Sequence, residues 1–434
     1  MIESPEAGEP LHLLAGRRYF SSLAYPDYRR LFLSTSAAGI AGWALIVARG
    51  WLAFNLTGSS TWVGVVTFAG FLPFMLGPLG GVLADRYHRS RLAAWSTAIG
   101  MLFTFILAAL TLADLVEAWQ LALITLVMSL PRAAELPARQ ALIAGLVPRD
   151  ELVNAFALSS VANFGTRALG PALVVPLIGG IGAGGVFLLS ACFYGVATLS
   201  VLRIGRAGDR LDAEATSALG DLVEGMRYVL AAPAIAVLML LVMFHCGLTM
   251  SFDSLLPAFA VQELQGGGAS FSAMATGVGL GALASAVVVA GVRGERAQGR
   301  LILVTACLSG LAPMAMALPM SVMSVPVAVA TMAAMGASQG AFMSMCGAIL
   351  QAAAPDRLRG RVSSIYLLFA GGLMAWVNLI NGALADVWDV PLLFLLPALA
   401  YLAILGLLAQ RHAALRRLFA SGSLLPAPAA AAAS

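Results

Sequence analysis

Apolar runs of about twenty residues, the length needed to cross a bilayer, recur along almost the whole chain, and nothing constrains its fold more. We read them, to within a few residues, as spans 1 to 12: 31–55, 61–83, 92–113, 119–141, 153–178, 186–205, 234–260, 271–292, 301–319, 325–351, 362–385 and 391–410. Twelve spans need roughly 240 residues, and 60% of 434 residues are hydrophobic, about 260. Only 11% are charged and mean hydropathy is +0.90. A soluble domain carries about 25% charged residues, so no soluble globule could hide this much apolar surface. Disorder requires low hydrophobicity, and four Cys are too few for a disulfide scaffold. The chain reads as an all-α, polytopic membrane protein.

All 25 basic residues are Arg. Outside the spans they fall in alternate loops: Arg17 to Arg30, Arg86 to Arg91, Arg149, Arg206 to Arg227, Arg293 to Arg300, Arg357 to Arg361 and Arg411 to Arg417. The intervening loops, around Gly58, Asp114, Gly182, Glu263, Met320 and Trp388, hold none. That is a positive-inside pattern. It places both termini in the cytoplasm and the chain in a cell (inner) membrane. The same pattern accounts for the net charge of +4, so no nucleic-acid partner is implied. No basic start followed by a short apolar core is present, and a cleaved leader is not expected.

The polar stretch 206–220, followed by an amphipathic segment over Asp221 to Leu230, divides the spans six and six. We therefore divide the chain into a cytoplasmic N-terminal tail (1–28), an N-terminal bundle (29–205), a linker with a surface helix (206–233), a C-terminal bundle (234–417) and a C-terminal tail (418–434). The halves echo one another. Pro148 and Pro355 precede spans 5 and 11, and Arg86 and Arg293 follow spans 2 and 8; both offsets are 207 (355 − 148, 293 − 86). Duplicated halves with a site between them are a transporter architecture.

The loop after span 2 reads Gly81-Val82-Leu83-Ala84-Asp85-Arg86-Tyr87-His88-Arg89-Ser90-Arg91, which resembles the signature loop of the major facilitator superfamily. Further stretches resemble its enterobactin-exporter-like drug:proton antiporter branch. They include Tyr28 to Phe32, Pro137-Ala138-Arg139-Gln140-Ala141, Arg167 with Gly170-Pro171, Glu224 to Tyr228, and Arg359-Gly360-Arg361-Val362. The resemblance runs in order over residues 28–385. It implies the major facilitator fold, twelve helices in two pseudo-symmetric six-helix bundles. It also implies monomeric, proton-coupled efflux of a small amphipathic molecule, drug or siderophore-like, by alternating access. Glu135 resembles an acid that the branch carries before Pro-Ala-Arg-Gln, and Arg167 an Arg before Gly-Pro. Gly81, Asp85, Arg86, Arg89 and Arg91, with Arg359 and Arg361 opposite, are expected to form a gate. There Asp85 would cap the start of span 11, near Val362 to Ser364, where the helix dipole is positive.

A charge at the bilayer centre costs about 2.5–3.5 kcal/mol on the lenient scale. Five stand inside spans away from the span ends: Arg49, Arg132, Glu135, Arg167 and Asp253. They must pair or line a wet cavity. Arg132 and Glu135 share a helix face, and Arg139 extends it. Arg49 and Asp253 are 204 apart (253 − 49) on spans that the duplication makes equivalent, so a charge pair between the halves is one expectation for them. Glu135 is the first candidate for proton coupling and Asp253 the second; a static structural ion pair is the alternative for each. Trp43, His245, Gln339 and Asn378 join the three Arg as candidates to line the cavity. Span 8 is rich in Gly and Ala, which predicts close helix packing.

No enzyme is expected. Gly336-Ala337-Ser338-Gln339-Gly340 matches a nucleophile elbow, but within an apolar run rather than a strand–helix turn. Cys192, Cys246, Cys307 and Cys346 form no CxxC, so no metal is expected, nor any cofactor beyond a proton gradient. A uniporter or lipid flippase on the same scaffold is the alternative function.

Overall fold

The computed structural model describes residues 20–77, 80, 87–205, 218–355 and 358–424. Among them every regular element is helical. Helix α1 (Pro26–Thr57) starts on a proline, whose fixed φ and missing N–H suit the first turn. It ends at Gly58 in the left-handed region, φ 65°. Ser59 then caps α2 (Ser60–Met75) by accepting the Thr61 amide. There follow α3 (Arg89–Leu112), α4 (Ala118–Ser129), α5 (Arg132–Leu146), α6 (Leu152–Ile178) and α7 (Gly182–Leu202). The second half holds α8 (Ala218–Ala231), α9 (Pro233–Thr249), α10 (Leu256–Gln262), α11 (Gly268–Gly291), α12 (Glu295–Met314), α13 (Val325–Ala353), α14 (Arg359–Ala385), α15 (Val390–Arg411) and α16 (Ala413–Ser421). Among the described residues ten helical segments are long and apolar enough to cross a membrane. The described parts of α2 and α9 are apolar but shorter, 16 and 17 residues.

Two spans read as continuous are broken. Span 4 splits into α4 and α5 at Pro131, which offers no N–H to the helix. Span 7 leaves the helix after Thr249 and resumes at Leu256, with Pro257 in the new first turn. The backbone groups freed there find side chains of other helices. Asn378 Oδ1 accepts the Ser254 amide at 3.2 Å, Asn381 donates to the Ser251 carbonyl at 2.6 Å, and Gln339 donates to the Thr249 carbonyl at 2.8 Å. Broken helix at membrane depth is tolerated only on such terms.

Helix α8 turns 109° from α9, and an ion pair from Glu224 to Arg361 holds it to the start of α14. The chain end also differs from the tail read from residue 418. Leu415, Leu418 and Phe419 share one face of α16 and are buried, as is Leu424. This face packs so closely on α12 that a Cβ on Gly299 would run into the Leu418 carbonyl.

The buried apolar residues form three clusters whose placement defines the shape. One is continuous across both halves at the Arg-free end; it joins Leu52, Val63 and Ile178 to Phe259, Phe271 and Phe394. At the Arg-rich end the clusters are separate, one around Tyr28, Leu142 and Val201, the other around Leu238, Phe342 and Leu415. The bundles are thus fused at one end and parted at the other.

Close packing within the second half rests on the small residues of α11. A Cβ on Gly281 would run into the Ala333 carbonyl, and one on Gly336 into the Val278 carbonyl. Gly336 belongs to the elbow-like motif, whose role here is helix packing. Overpacking costs about 1–3 kcal/mol, and a backbone carbonyl cannot rotate away. Gly336→Leu should therefore lose about 3 kcal/mol. A thermal melt of the detergent-solubilised protein, followed by size-exclusion chromatography, should show a lowered midpoint.

Candidate transport cavity

A cavity of about 790 Å³ lies where the bundles part, lined from Trp43 and Arg49 at its deep end to Arg89, Gln351, Arg359 and Arg361 at its mouth. A second, of about 220 Å³, shares Trp43, Ile46, Phe71, Phe74 and Leu367 with the first.

The polar centre of the large cavity stands on α5. The break at Pro131 sets Arg132 as the first residue of α5, and Glu135 and Arg139 follow on the same face. Glu135 accepts from Arg139 Nε at 2.6 Å and from Ser96 Oγ of α3 at 2.5 Å. The other nitrogens of Arg139 reach Ser34 and Thr35 of α1 at 3.1–3.2 Å. One carboxylate thereby ties three helices together. The partner of Glu135 is Arg139, one turn on, rather than Arg132.

Arg132 is exposed to the cavity and stands beside Gly42 and the Tyr194 hydroxyl. Arg49 is buried; it donates to its own helix at the Leu45 carbonyl (3.1 Å) and to the Met128 sulfur (3.5 Å). Tyr194 lies in the electrostatic field of Arg132, Glu135, Arg49 and Arg139 together. Sequence reading passed over Tyr194, an aromatic in an apolar span, and over Ser96.

The second cavity holds Arg167 and Asp253. Asp253 is the charged neighbour of Arg167, and Arg167 of Asp253. The pairing of Arg49 with Asp253 is thus corrected: the break in span 7 takes Asp253 out of the helical register that pairing assumed. Trp43 lies under the Arg167 guanidinium at 5.0 Å.

Three cavity candidates lie elsewhere. His245, Gln339 and Asn378 are fully buried and line neither cavity. His245 packs its ring on Phe342 and Tyr401 and meets the Thr249 hydroxyl at 3.3 Å. Gln339 and Asn378 serve the broken helix, a demand invisible until the break itself is seen. Of the gate residues, Gly81, Asp85 and Arg86 lie outside the described residues. Arg89, Arg359 and Arg361 line the mouth, and Arg91 is exposed. No grouping of His, Cys, Asp and Glu among the described residues could hold a metal.

The fused end carries a latch that the sequence did not announce. Asp386, the C-cap of α14, meets the start of α2. Its Oδ1 accepts the Ser60 amide at 2.6 Å, and its Oδ2 accepts the Thr61 amide and hydroxyl at 3.1 and 2.6 Å and the Ser59 hydroxyl at 2.5 Å. A carboxylate at a helix N-terminus suits the dipole there. Burial alone would raise the Asp386 carboxyl, but these hydrogen bonds outweigh it and hold it below the usual range. The latch is therefore complete above the ordinary Asp value of about 3.9 and is lost as pH falls through the lower, latched value. Asp386→Ala should weaken closure on the order of 1 kcal/mol, discounted for exposure. Spin labels on Leu115→Cys and Met320→Cys, loop sites in the two halves, should then show a larger population at long distance.

The geometry has close parallels in known proteins. A peptide transporter POT carrying one substitution superposes with a TM-score of 0.72 at 14% identity, covering 90% of this chain and 95% of that one. A mutant of the nucleoside transporter NupG gives 0.71 at 13% identity, covering 89% and 99%. Both parallels are of fold. In sequence the chain is 28% identical over 406 residues to the multidrug efflux pump Tap of Mycolicibacterium fortuitum, 89% of this chain and 96% of that protein. It is 24% identical over 253 residues to macrolide efflux protein A of Streptococcus pyogenes, 58% and 62%. It is 22% identical over 262 residues to the staphyloferrin A transporter of Staphylococcus aureus, 59% and 65%. The family profile of transmembrane secretion effectors matches residues 18–428. With its fold, cavity and profile in agreement, the chain belongs to the transmembrane secretion effector family of the major facilitator superfamily and is a membrane transporter, not an enzyme.

Proposed function

We propose that the protein is a monomeric, proton-coupled exporter of a small amphipathic molecule. It sits in a bacterial inner membrane with both termini cytoplasmic. The alternation of Arg between loops supports that orientation, and it makes the open mouth of the cavity face the cytoplasm. The bundles 29–205 and 234–417 rock about the site. Export is the activity named for Tap and for macrolide efflux protein A, and an exporter loads from the side on which this cavity opens.

The observation that carries the coupling is Glu135, a cavity-lining carboxylate paired with Arg139 and bonded to Ser96. Protonation removes its negative charge and one acceptor, which loosens the charge-assisted bond to Arg139. Arg139 in turn holds α1 through Ser34 and Thr35. Proton uptake thus changes the helix contacts around the cavity. Asp253, facing Arg167 from the other half, is the second coupling candidate. The signature loop with Gly81, Asp85 and Arg86, beside Arg89, Arg91, Arg359 and Arg361, forms the inner gate. Asp85 caps the start of α14 when the cytoplasmic mouth closes, as Asp386 caps α2 at the other end.

In proteoliposomes an imposed pH gradient should drive accumulation of substrate, tested with a panel of drugs, siderophores and lysolipids. Transport that ignores the gradient would favour a uniporter.

A further inference from the structure

Charge is unevenly shared between the two cavities. In the small one Arg167 faces Asp253, so it is balanced. Deep in the large one stand Arg49, Arg132 and Arg139 against a single acid, Glu135. Arg139 is bonded to Glu135 at 2.6 Å, so the pair is neutral. Arg49 and Arg132 are left with no carboxylate within 4.0 Å among the described residues. The hydrogen bonds of Arg49 go to a carbonyl and a sulfur. Arg132 makes none among the described residues and is exposed to the cavity beside the Tyr194 hydroxyl.

A guanidinium at membrane depth is costly unless an anion or water answers it. Its planar fork of donors matches an oxyanion. Next to these two cations the wall turns apolar and aromatic: Trp43, Phe71 and Phe74 belong to both cavities, and Phe252 and Phe271 close the second.

We propose that the transported molecule is an amphiphile with an oxyanion head, a carboxylate or a phosphate. The head sits between Arg132 and Arg49 with the Tyr194 hydroxyl beside it, and the apolar body lies against Trp43 and the Phe side chains of the shared wall. Glu135 stays paired with Arg139 and takes no part in holding the head. The assignment rests on the transporter reading above and names the class of its substrate.

Binding tests it without any gradient. The full chain in nanodiscs is titrated with four probes that share one naphthalene body: naphthaleneacetate, naphthyl phosphate, naphthalenemethanol and naphthylmethylammonium. Acetate and phosphate should each bind at least about ten-fold tighter than the alcohol, the gain from one charge-assisted contact, and the ammonium weaker than the alcohol. The tighter of the two anions identifies the head. Arg132→Gln should lower the anion-to-alcohol ratio by about ten-fold, and Arg132→Lys should keep more of the preference for the anions. No measurable binding of either anion, or an alcohol or ammonium bound as tightly, overturns the proposal. Transport insensitive to pH with the anion preference intact would count against proton coupling alone. Gradient-driven transport with equal binding of all four heads would count against this inference alone.

Discussion

Glu135→Gln is expected to uncouple the protein: substrate still binds, but a pH gradient no longer drives it. A one-unit pH difference is worth about 1.4 kcal/mol for each proton carried. An amide cannot carry that proton, so the contribution falls to zero. The substitution is otherwise mild. Gln has the shape of Glu; its carbonyl can still accept from Arg139 Nε, and its NH2, in the place of the second oxygen, can donate to the Ser96 hydroxyl. What is lost is the charge that neutralises Arg139, about 1–3 kcal/mol for one hydrogen bond to a charged group. Glu135→Ala should be worse, since it strands Arg139 near Ser34 and Thr35 with no counter-charge, a change that costs about 3–5 kcal/mol at a buried pair. The distinguishing measurement is counterflow beside gradient-driven uptake in the same proteoliposomes. Counterflow needs only binding and alternation, so Glu135→Gln should retain it. Gradient-driven transport at the normal rate in Glu135→Gln would leave Asp253 as the coupling acid.

Gly279→Leu should have the second large effect, on which end of the protein is open. A Cβ on Gly279 would run into the Arg167 carbonyl and Ala168, which belong to α6 in the other half. The clash is with backbone, so only separation of α6 from α11 relieves it. A comparable approach exists at the latch, where a Cβ on Gly64 would stand 3.0 Å from the Asn378 carbonyl. These contacts exist because the bundles are fused at the Arg-free end, and alternation must break them. Overpacking there costs about 1–3 kcal/mol, which shifts the balance roughly 5- to 150-fold toward the opposite form. The labels on Leu115→Cys and Met320→Cys should move apart in this variant. An unchanged distance distribution would mean that the halves do not part along α6 and α11.

Much of this was legible before any coordinates. Spans follow from hydropathy because a bilayer demands about twenty apolar residues in each. Arg132 and Glu135 stood out because charges are rare at that depth and three residues apart they share a face, which Arg139 extends. The rest depended on breaks and partners. Nothing in a hydropathy run marks Met250 to Leu255 as non-helical, so the register of Asp253 and the task of Gln339, Asn378 and Asn381 were hidden. Spacing put Arg132 and Arg139 on the face of Glu135 without saying which of them bonds it; Arg139 does, while Arg132 opens a new helix after Pro131 and turns toward Gly42 and Tyr194. Asp386 lies just past span 11 with nothing in the sequence to single it out; only the approach of α14 to the start of α2 gives it a role.

Alternating access as proposed requires a water-filled passage between the bundles that opens at the Arg-rich end and, in turn, at the other. Ile46 lines both cavities at the middle of α1. With Cys192, Cys246, Cys307 and Cys346 replaced by Ala, Ile46→Cys can be labelled with a membrane-impermeant maleimide. Inside-out vesicles should label readily without substrate. Intact cells should label only when substrate or Gly279→Leu shifts the protein to its other form. Label that reaches Ile46→Cys from neither face, under either condition, would contradict the account.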